Sequence, residues 1–331
     1  MKRLRPWLRV LGALCLLLLI PHIDLRHSLQ LVRALPALPV VLASVAYAAN
    51  VLLKAWRWHR MQRRQGTPIR WTESLAAFLS GAMYGMLTIG RVGELMRAEV
   101  LVRHGQPRVT ALTNSIADRI LDALFLLATA AISSTLMLPN TERAYLLGLG
   151  LFALGFVGLW LARWRNTRPQ PASSLVTDTP DPMTSLWKRS LRAADALVGT
   201  LLRVLTGDGA LEALLWTAIS WFGYFVAVAL LASALGLHAP FLALVGSTAI
   251  GSAAAALPIS FQGIGTRETA YAAALAPHGI STTDAITLSV VTLALLYSVV
   301  LPLGAVGLLL ERNQRRLRSE KLANDGSVNA V

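Results

Sequence analysis

Three short stretches carry charge where the surrounding sequence is apolar. In "MLTIGRVGELMRAEVL" (residues 86–101), Arg91, Glu94, Arg97 and Glu99 follow an apolar run, with Gly90 and Gly93 beside them. In "TNSIADRILDALF", Asp118, Arg119 and Asp122 open another apolar segment. "LPISFQGIGTRE" ends on Gly263, Gly265, Arg267 and Glu268. A charge at membrane depth is costly unless it has a partner or faces a wet cavity. At helical spacing Glu94 can pair with Arg97, and Arg119 with Asp122. Asp118 and Asp122, four apart, share one helix face, which is expected to turn inward.

Glycines just ahead of a helix let the backbone approach a ligand and expose amides at the helix's positive end. That arrangement suits an anionic headgroup such as a lipid phosphate. Arg267, with Arg91 or Arg97, can add bidentate phosphate contacts. The candidate substrate site is therefore Gly90, Arg91, Gly93, Glu94, Arg97, Asp118, Arg119, Asp122, Gly263, Gly265, Arg267 and Glu268. A plainer reading makes Glu94–Arg97 and Arg267–Glu268 packing clamps or interface anchors, because intramembrane ion pairs are often structural. It also lets Asp118, Arg119 and Asp122 sit at a solvated interface. Trp56, Trp58 and Trp71 read as interface anchors, Lys54 as a snorkelling side chain and Asn50 as part of a polar face.

The elements that must position these residues are helical and membrane-embedded. The 331-residue chain is 55% hydrophobic and only 15% charged, with a mean hydropathy of +0.55. Several apolar stretches reach the roughly 20 residues needed to cross about 30 Å of hydrocarbon. The expected fold is all-α and polytopic, with six full spans near residues 6–24, 38–56, 111–137, 145–164, 211–235 and 284–310. The first resembles a signal peptide but lacks a prompt cleavage site and reads as a retained anchor. Residues 165–188 form a proline- and serine-containing linker. Residues 189–205 have apolar positions at helical spacing and are expected to lie along the membrane surface. The transmembrane domain would occupy residues 1–310, and residues 311–331 a basic cytoplasmic tail.

The net charge of +14 does not point to nucleic acid, because the basic residues cluster beside apolar segments. Arg57, Arg60, Arg63 and Arg64 follow one span, and Arg312, Arg315, Arg316, Arg318 and Lys321 follow the last. This is the positive-inside pattern and places both termini in the cytoplasm, in a cytoplasmic membrane. The single cysteine, Cys15, can form no intramolecular disulfide, and the six histidines do not pair at metal-ligand spacing. No metal, cofactor or nucleic-acid partner is expected, and no nucleotide-binding loop is present.

The same charge bias decides how residues 72–94 lie. A full crossing would put Arg97, Arg103 and Arg108 outside, so this small-residue-rich stretch is expected to dip in from the cytoplasm and return. Residues 246–268 have the same character and, by the order of spans, are re-entrant from outside. Span, broken hairpin and span thus recur in each half with opposite orientation, an inverted repeat. Paired glycine-interrupted segments of this kind point to a transporter-type site.

At these residues the chain resembles the lysylphosphatidylglycerol synthase transmembrane-region family of flippase-like membrane proteins. The matching elements are Arg57-Trp58, residues 88–94 with Arg97, Asp118-Arg119-Ile120-Leu121-Asp122, and residues 257–268. Three positions depart from the family pattern: Ile89 where proline is usual, Gln262 in place of the first glycine of a pair, and Asp118 in place of glutamate. The resemblance implies translocation of an anionic lipid or lipid-linked glycan between leaflets. In bifunctional synthases the module accompanies a large aminoacyl-transfer domain. Only a short basic tail follows Leu310 here, so synthase activity is not expected, and no catalytic constellation is visible. The alternative is a non-transporting accessory subunit that scaffolds a membrane glycosyltransferase or lipid-modifying enzyme.

Overall fold

The structure, a computed structural model, describes residues 24–137, 198–200, 209–256 and 262–328. The anticipated spans at 6–24 and 145–164, the linker and nearly all of the surface helix lie outside them. Every regular element among the described residues is helical. In chain order these are α1 (Leu25–Arg33), α2 (Ala37–Arg64), α3 (Trp71–Met86), a 3₁₀ segment (Ile89–Arg97), α4 (Ala98–Arg103) and α5 (Arg108–Met137). The second part holds α6 (Ala210–Ala234), α7 (Phe241–Ala256), α8 (Thr266–Leu275) and α9 (Thr282–Val328).

Four of these helices, α2, α5, α6 and residues Thr282–Leu317 of α9, are long and apolar enough to cross a membrane. They match the second, third, fifth and last expected spans, and the chain is a polytopic helical membrane protein. Local chemistry sets their ends. Gly66 lies at φ 81 beyond α2, where Thr67 N–H donates to Gln62 C=O at 3.1 Å. The left-handed backbone that this closure needs is open to glycine at no steric cost. At the start of α9, Ser281 Oγ accepts from Asp284 N–H at 3.1 Å, an N-terminal cap.

Helices α3 and α7 have 16 residues each, short of a full crossing. Each instead turns back on itself. A Cβ at Gly93 would lie 2.3 Å from Tyr84 O, and one at Gly81 would meet Glu94 and Arg97, so the 3₁₀ segment runs antiparallel against α3. The two ends of this first hairpin meet: His104 Nε2 lies 3.2 Å from Glu73 Oε2. In the second hairpin a Cβ at Gly263 would strike Ala255, and one at Gly251 would strike Tyr271 and Arg267. Replacing Gly93 by alanine should therefore destabilise the purified protein by about 1–3 kcal/mol, since the added methyl meets backbone that cannot rotate away. Thermal unfolding in detergent checks this, and an unchanged Tm would mean the two limbs are not closely packed.

Packing between the halves follows an exchange pattern. α2 lies against α6 in antiparallel sense, with Arg64 and Arg60 on Glu212 at one end and Tyr47 against Tyr224 (5.2 Å between rings) further along. The first hairpin packs on α9 and the second on α5. Small residues allow the close approaches: a Cβ at Gly307 would fall 2.7 Å from Ser80 N, and one at Gly246 would fall 3.1 Å from Ser133 Cβ. Each hairpin thus rests on the span that follows the other. The hairpin tips meet as well. Gln262 Nε2 donates to Gly85 C=O at 2.8 Å, and Tyr297 Oη donates to Met86 C=O at 3.2 Å. Tyr297 is about 22 Å along α9 from Thr282 at roughly 1.5 Å per residue, near the middle of that span.

Candidate functional site

The basic end of the molecule is marked by Arg60, Arg63 and Arg64. Between it and the meeting point of the tips lies a cluster of buried charge. Arg57 of α2 is its centre, with a side chain only 1% exposed. Its Nη2 donates to Asp118 Oδ1, and its Nη1 to Asp122 Oδ1 and to Thr217 Oγ1, each at 2.7 Å. Asp122 also accepts from Lys54 Nζ at 3.2 Å and from Trp221 Nε1 at 3.1 Å. Asp118 accepts in addition from Arg97 Nη2 at 2.7 Å, and the same nitrogen reaches Ser115 C=O at 3.0 Å. Ion pairs of this kind persist in low dielectric only when their remaining lone pairs and protons are also satisfied.

Aromatic rings wall the cluster. Lys54 Nζ sits 3.6 Å from the centroid of the Trp221 ring, and the Arg97 guanidinium lies over Trp58 and Phe78. Such faces attract a cation, more so where water is excluded. Alongside, Glu94 is held between two arginines. It lies 2.7 Å from Arg91 Nε and pairs with Arg119 of α5. Gly85 makes room for it, since a Cβ there would be 2.3 Å from Glu94 Cγ. The Arg91 and Arg119 side chains keep 27% and 31% of their surface exposed, while Glu94 keeps 3%. Those two side chains are the most exposed of the cluster, although their Nε atoms are buried.

The first hairpin brings Arg91, Glu94 and Arg97 to α5, where Asp118, Arg119 and Asp122 wait. Asp118 and Asp122 share the inward face that their spacing implied, and both are buried. Two local pairings come out differently. Glu94 pairs with Arg91 and Arg119 while Arg97 goes to Asp118, and Asp122 pairs with Arg57 and Lys54 while Arg119 goes to Glu94. The segment is a 3₁₀ helix with Arg91 at φ 55, and from its far end Arg97 reaches the buried carboxylate of Asp118 on α5. Gly90 lies in the same 3₁₀ segment, and Gly93 N–H is already taken by Thr88 Oγ1 at 2.8 Å.

Arg267 and Glu268 form a separate, self-contained set. Arg267 Nη2 donates to Ser289 C=O at 2.7 Å and Nε to Ser289 Oγ at 3.0 Å, with Glu268 at 3.3 Å. Glu268 turns back to accept from Gly265 N–H at 2.6 Å, which closes the start of α8. Gly263 is pressed against Ala255. These charges satisfy one another within the second hairpin and α9, and the helix-start amide of Gly265 has an internal acceptor.

Three residues outside the sequence-derived set belong to the site: Arg57, Lys54 and Trp221. By sequence Arg57 belongs with the basic run that follows its span, yet it points inward. The available signal was spacing, with Lys54 and Arg57 three apart on one span to match Asp118 and Asp122 four apart on another. Trp58 is not an interface anchor: it is fully buried against Phe78 and Arg97. Asn50 uses its amide internally, donating to Ser220 C=O at 2.5 Å. No group of three or more metal-ligating side chains is present among the described residues. At the basic end a cleft lined by Ala77, Met96, Arg103, His104, Glu311 and Arg315 opens between the first hairpin and α9.

Crossing helices, two opposed hairpins whose ends meet and a charge cluster beneath them define a polytopic helical membrane protein. The chain belongs to the lysylphosphatidylglycerol synthase transmembrane-region family, whose model matches residues 7–304. This makes it a multi-pass membrane protein tied to lipid handling. The family's region is a flippase-like domain rather than the catalytic one. No curated protein and no solved structure gives a significant match.

Proposed function

We propose that the protein carries an anionic lipid or lipid-linked glycan between the leaflets of the cytoplasmic membrane, with both termini on the cytoplasmic side. One observation carries this reading: a surplus of buried and half-buried cations gathered under the tips of two oppositely entering hairpins. Five cations, Lys54, Arg57, Arg91, Arg97 and Arg119, share three carboxylates, Glu94, Asp118 and Asp122. An acidic headgroup entering beside Arg91 and Arg119 would complete the balance, while its acyl chains stay in lipid. Rocking of the first hairpin against α9, and of the second against α5, would then expose the headgroup to one side and to the other.

Lipids that co-purify with the protein test the binding half of this reading. Mass spectrometry should find an acidic lipid enriched several-fold over its share of the source membrane. A co-purified mixture that mirrors the bulk membrane would remove the headgroup site. The self-satisfied Arg267–Glu268–Ser289 set favours one competing reading, an accessory subunit that scaffolds a glycosyltransferase or lipid-modifying enzyme without transporting anything. On that reading the buried charges act as clamps throughout.

A further inference from the structure

The charge count says more about the headgroup than its sign. The cluster has two linked parts. Lys54, Arg57 and Arg97 surround Asp118 and Asp122, and Arg91 and Arg119 surround Glu94. Each part is one positive charge in surplus. Arg91, Glu94 and Arg97 follow one another along the 3₁₀ segment, and Asp118, Arg119 and Asp122 along α5, so the two parts adjoin and form one site.

Among the described residues, the other ion-paired glutamates near the bundle are engaged elsewhere, and Glu99, on α4, is exposed rather than turned into the cluster. Glu212 is held by Arg60 and Arg64, Glu268 by Arg267, Glu73 by His104, and Glu311 by Ser80 and Arg315. Donor capacity is also left over. Arg57 Nε, Arg97 Nε and Arg119 Nε are buried with no acceptor, and Arg91 Nε, although close to Glu94, is poorly aligned for a hydrogen bond. Buried guanidinium groups in low dielectric are normally fully used.

Resting on the lipid reading above, we propose that the site selects a headgroup ending in a doubly charged phosphate, a phosphomonoester or diphosphate, over a singly charged phosphodiester. Two surplus positive charges match two negative ones. The two half-buried arginines, Arg91 on the 3₁₀ segment and Arg119 on α5, flank Glu94 from different elements and can each present a guanidinium fork to one tetrahedral phosphate. Glu94 holds this pair apart while the site is empty and gives way to the phosphate, which has more acceptor oxygens. A phosphodiester would leave one surplus charge uncompensated.

Binding to purified protein in detergent tests this with four probes: phosphatidic acid, a polyprenyl monophosphate, phosphatidylglycerol with the same acyl chains as the first, and inorganic phosphate. At pH 8 one or both monoester lipids should bind at least tenfold more tightly than phosphatidylglycerol, and the stronger of the two identifies the lipid class. The preference should shrink towards unity below about pH 6, as the second phosphate proton returns. Arg119→Gln should reduce it at pH 8 while Arg26→Gln, on the distant α1, leaves it intact. Equal affinity for phosphatidic acid, polyprenyl phosphate and phosphatidylglycerol would overturn the dianion assignment and leave the lipid reading standing. Inorganic phosphate binding as tightly as any lipid would overturn the lipid reading itself. No binding by any acidic probe would overturn both.

Discussion

Replacing Arg57 by leucine should cost the protein about 3–5 kcal/mol of stability, the largest loss expected from a single side chain. That scale applies when one partner of a buried ion pair is removed and its counter-charge remains. Here one guanidinium neutralises two carboxylates and also satisfies Thr217. Without it, Asp118 keeps Arg97, and Asp122 keeps Lys54 and Trp221, which sets the loss towards the lower end of the range. Lysine at this position keeps the charge but lacks the planar fork, so it should fall between. Adding Asp122→Asn to the leucine variant should recover part of the loss, because it removes a charge that no longer has its main partner. Unfolding of the detergent-purified proteins reads all four. A leucine variant within about 0.5 kcal/mol of the parent, the scale of an ordinary surface change, would show that Arg57 is solvated rather than buried.

Arg91→Asn should have the opposite profile, with little effect on stability and a large one on transport. Arg91 stands at φ 55, a left-handed backbone that non-glycine residues adopt reluctantly and asparagine tolerates better than most. Glu94 would retain Arg119 as its partner. The substitution thus removes a partly exposed guanidinium without distorting the hairpin. Losing its charge-assisted contacts to a headgroup, each worth about 1.5–3 kcal/mol, should slow exchange roughly tenfold to a hundredfold. Arg267→Ala is the instructive contrast. It strips Glu268 and Ser289 of a buried partner, so its effect should be on folding.

Much of the architecture was legible because charge and size report on depth. Basic residues at Arg97, Arg103 and Arg108 could not be placed outside, so the preceding stretch had to turn back, and the glycines let its limbs approach. The pairing of the two glycine-interrupted segments likewise foretold opposed hairpins. The wiring of the charges was less legible, because local spacing sees only neighbours on the same helix. Glu94 and Arg97 looked like a pair, but their stronger partners, Arg119 and Asp118, lie on α5. Arg57 was hidden in a run of arginines. Charge counting assigns such a run to solvent as a whole, yet a helix can turn Arg57 inward while Arg60 and Arg64 reach Glu212 at its end. The role of Arg267 and Glu268 depends on Ser289, which nothing in their own stretch reveals.

Leaflet exchange in reconstituted vesicles tests the central claim most directly. Purified parent protein and Arg91→Asn, at equal density, are placed in vesicles carrying a trace of acidic lipid labelled on its acyl chain. Loss of label to an impermeant quencher is then followed against protein-free vesicles. The parent should expose inner-leaflet lipid well above the protein-free rate, and Arg91→Asn should fall most of the way back while remaining folded. No exchange of any acidic lipid by the parent, or equal rates for parent and variant, would contradict the account.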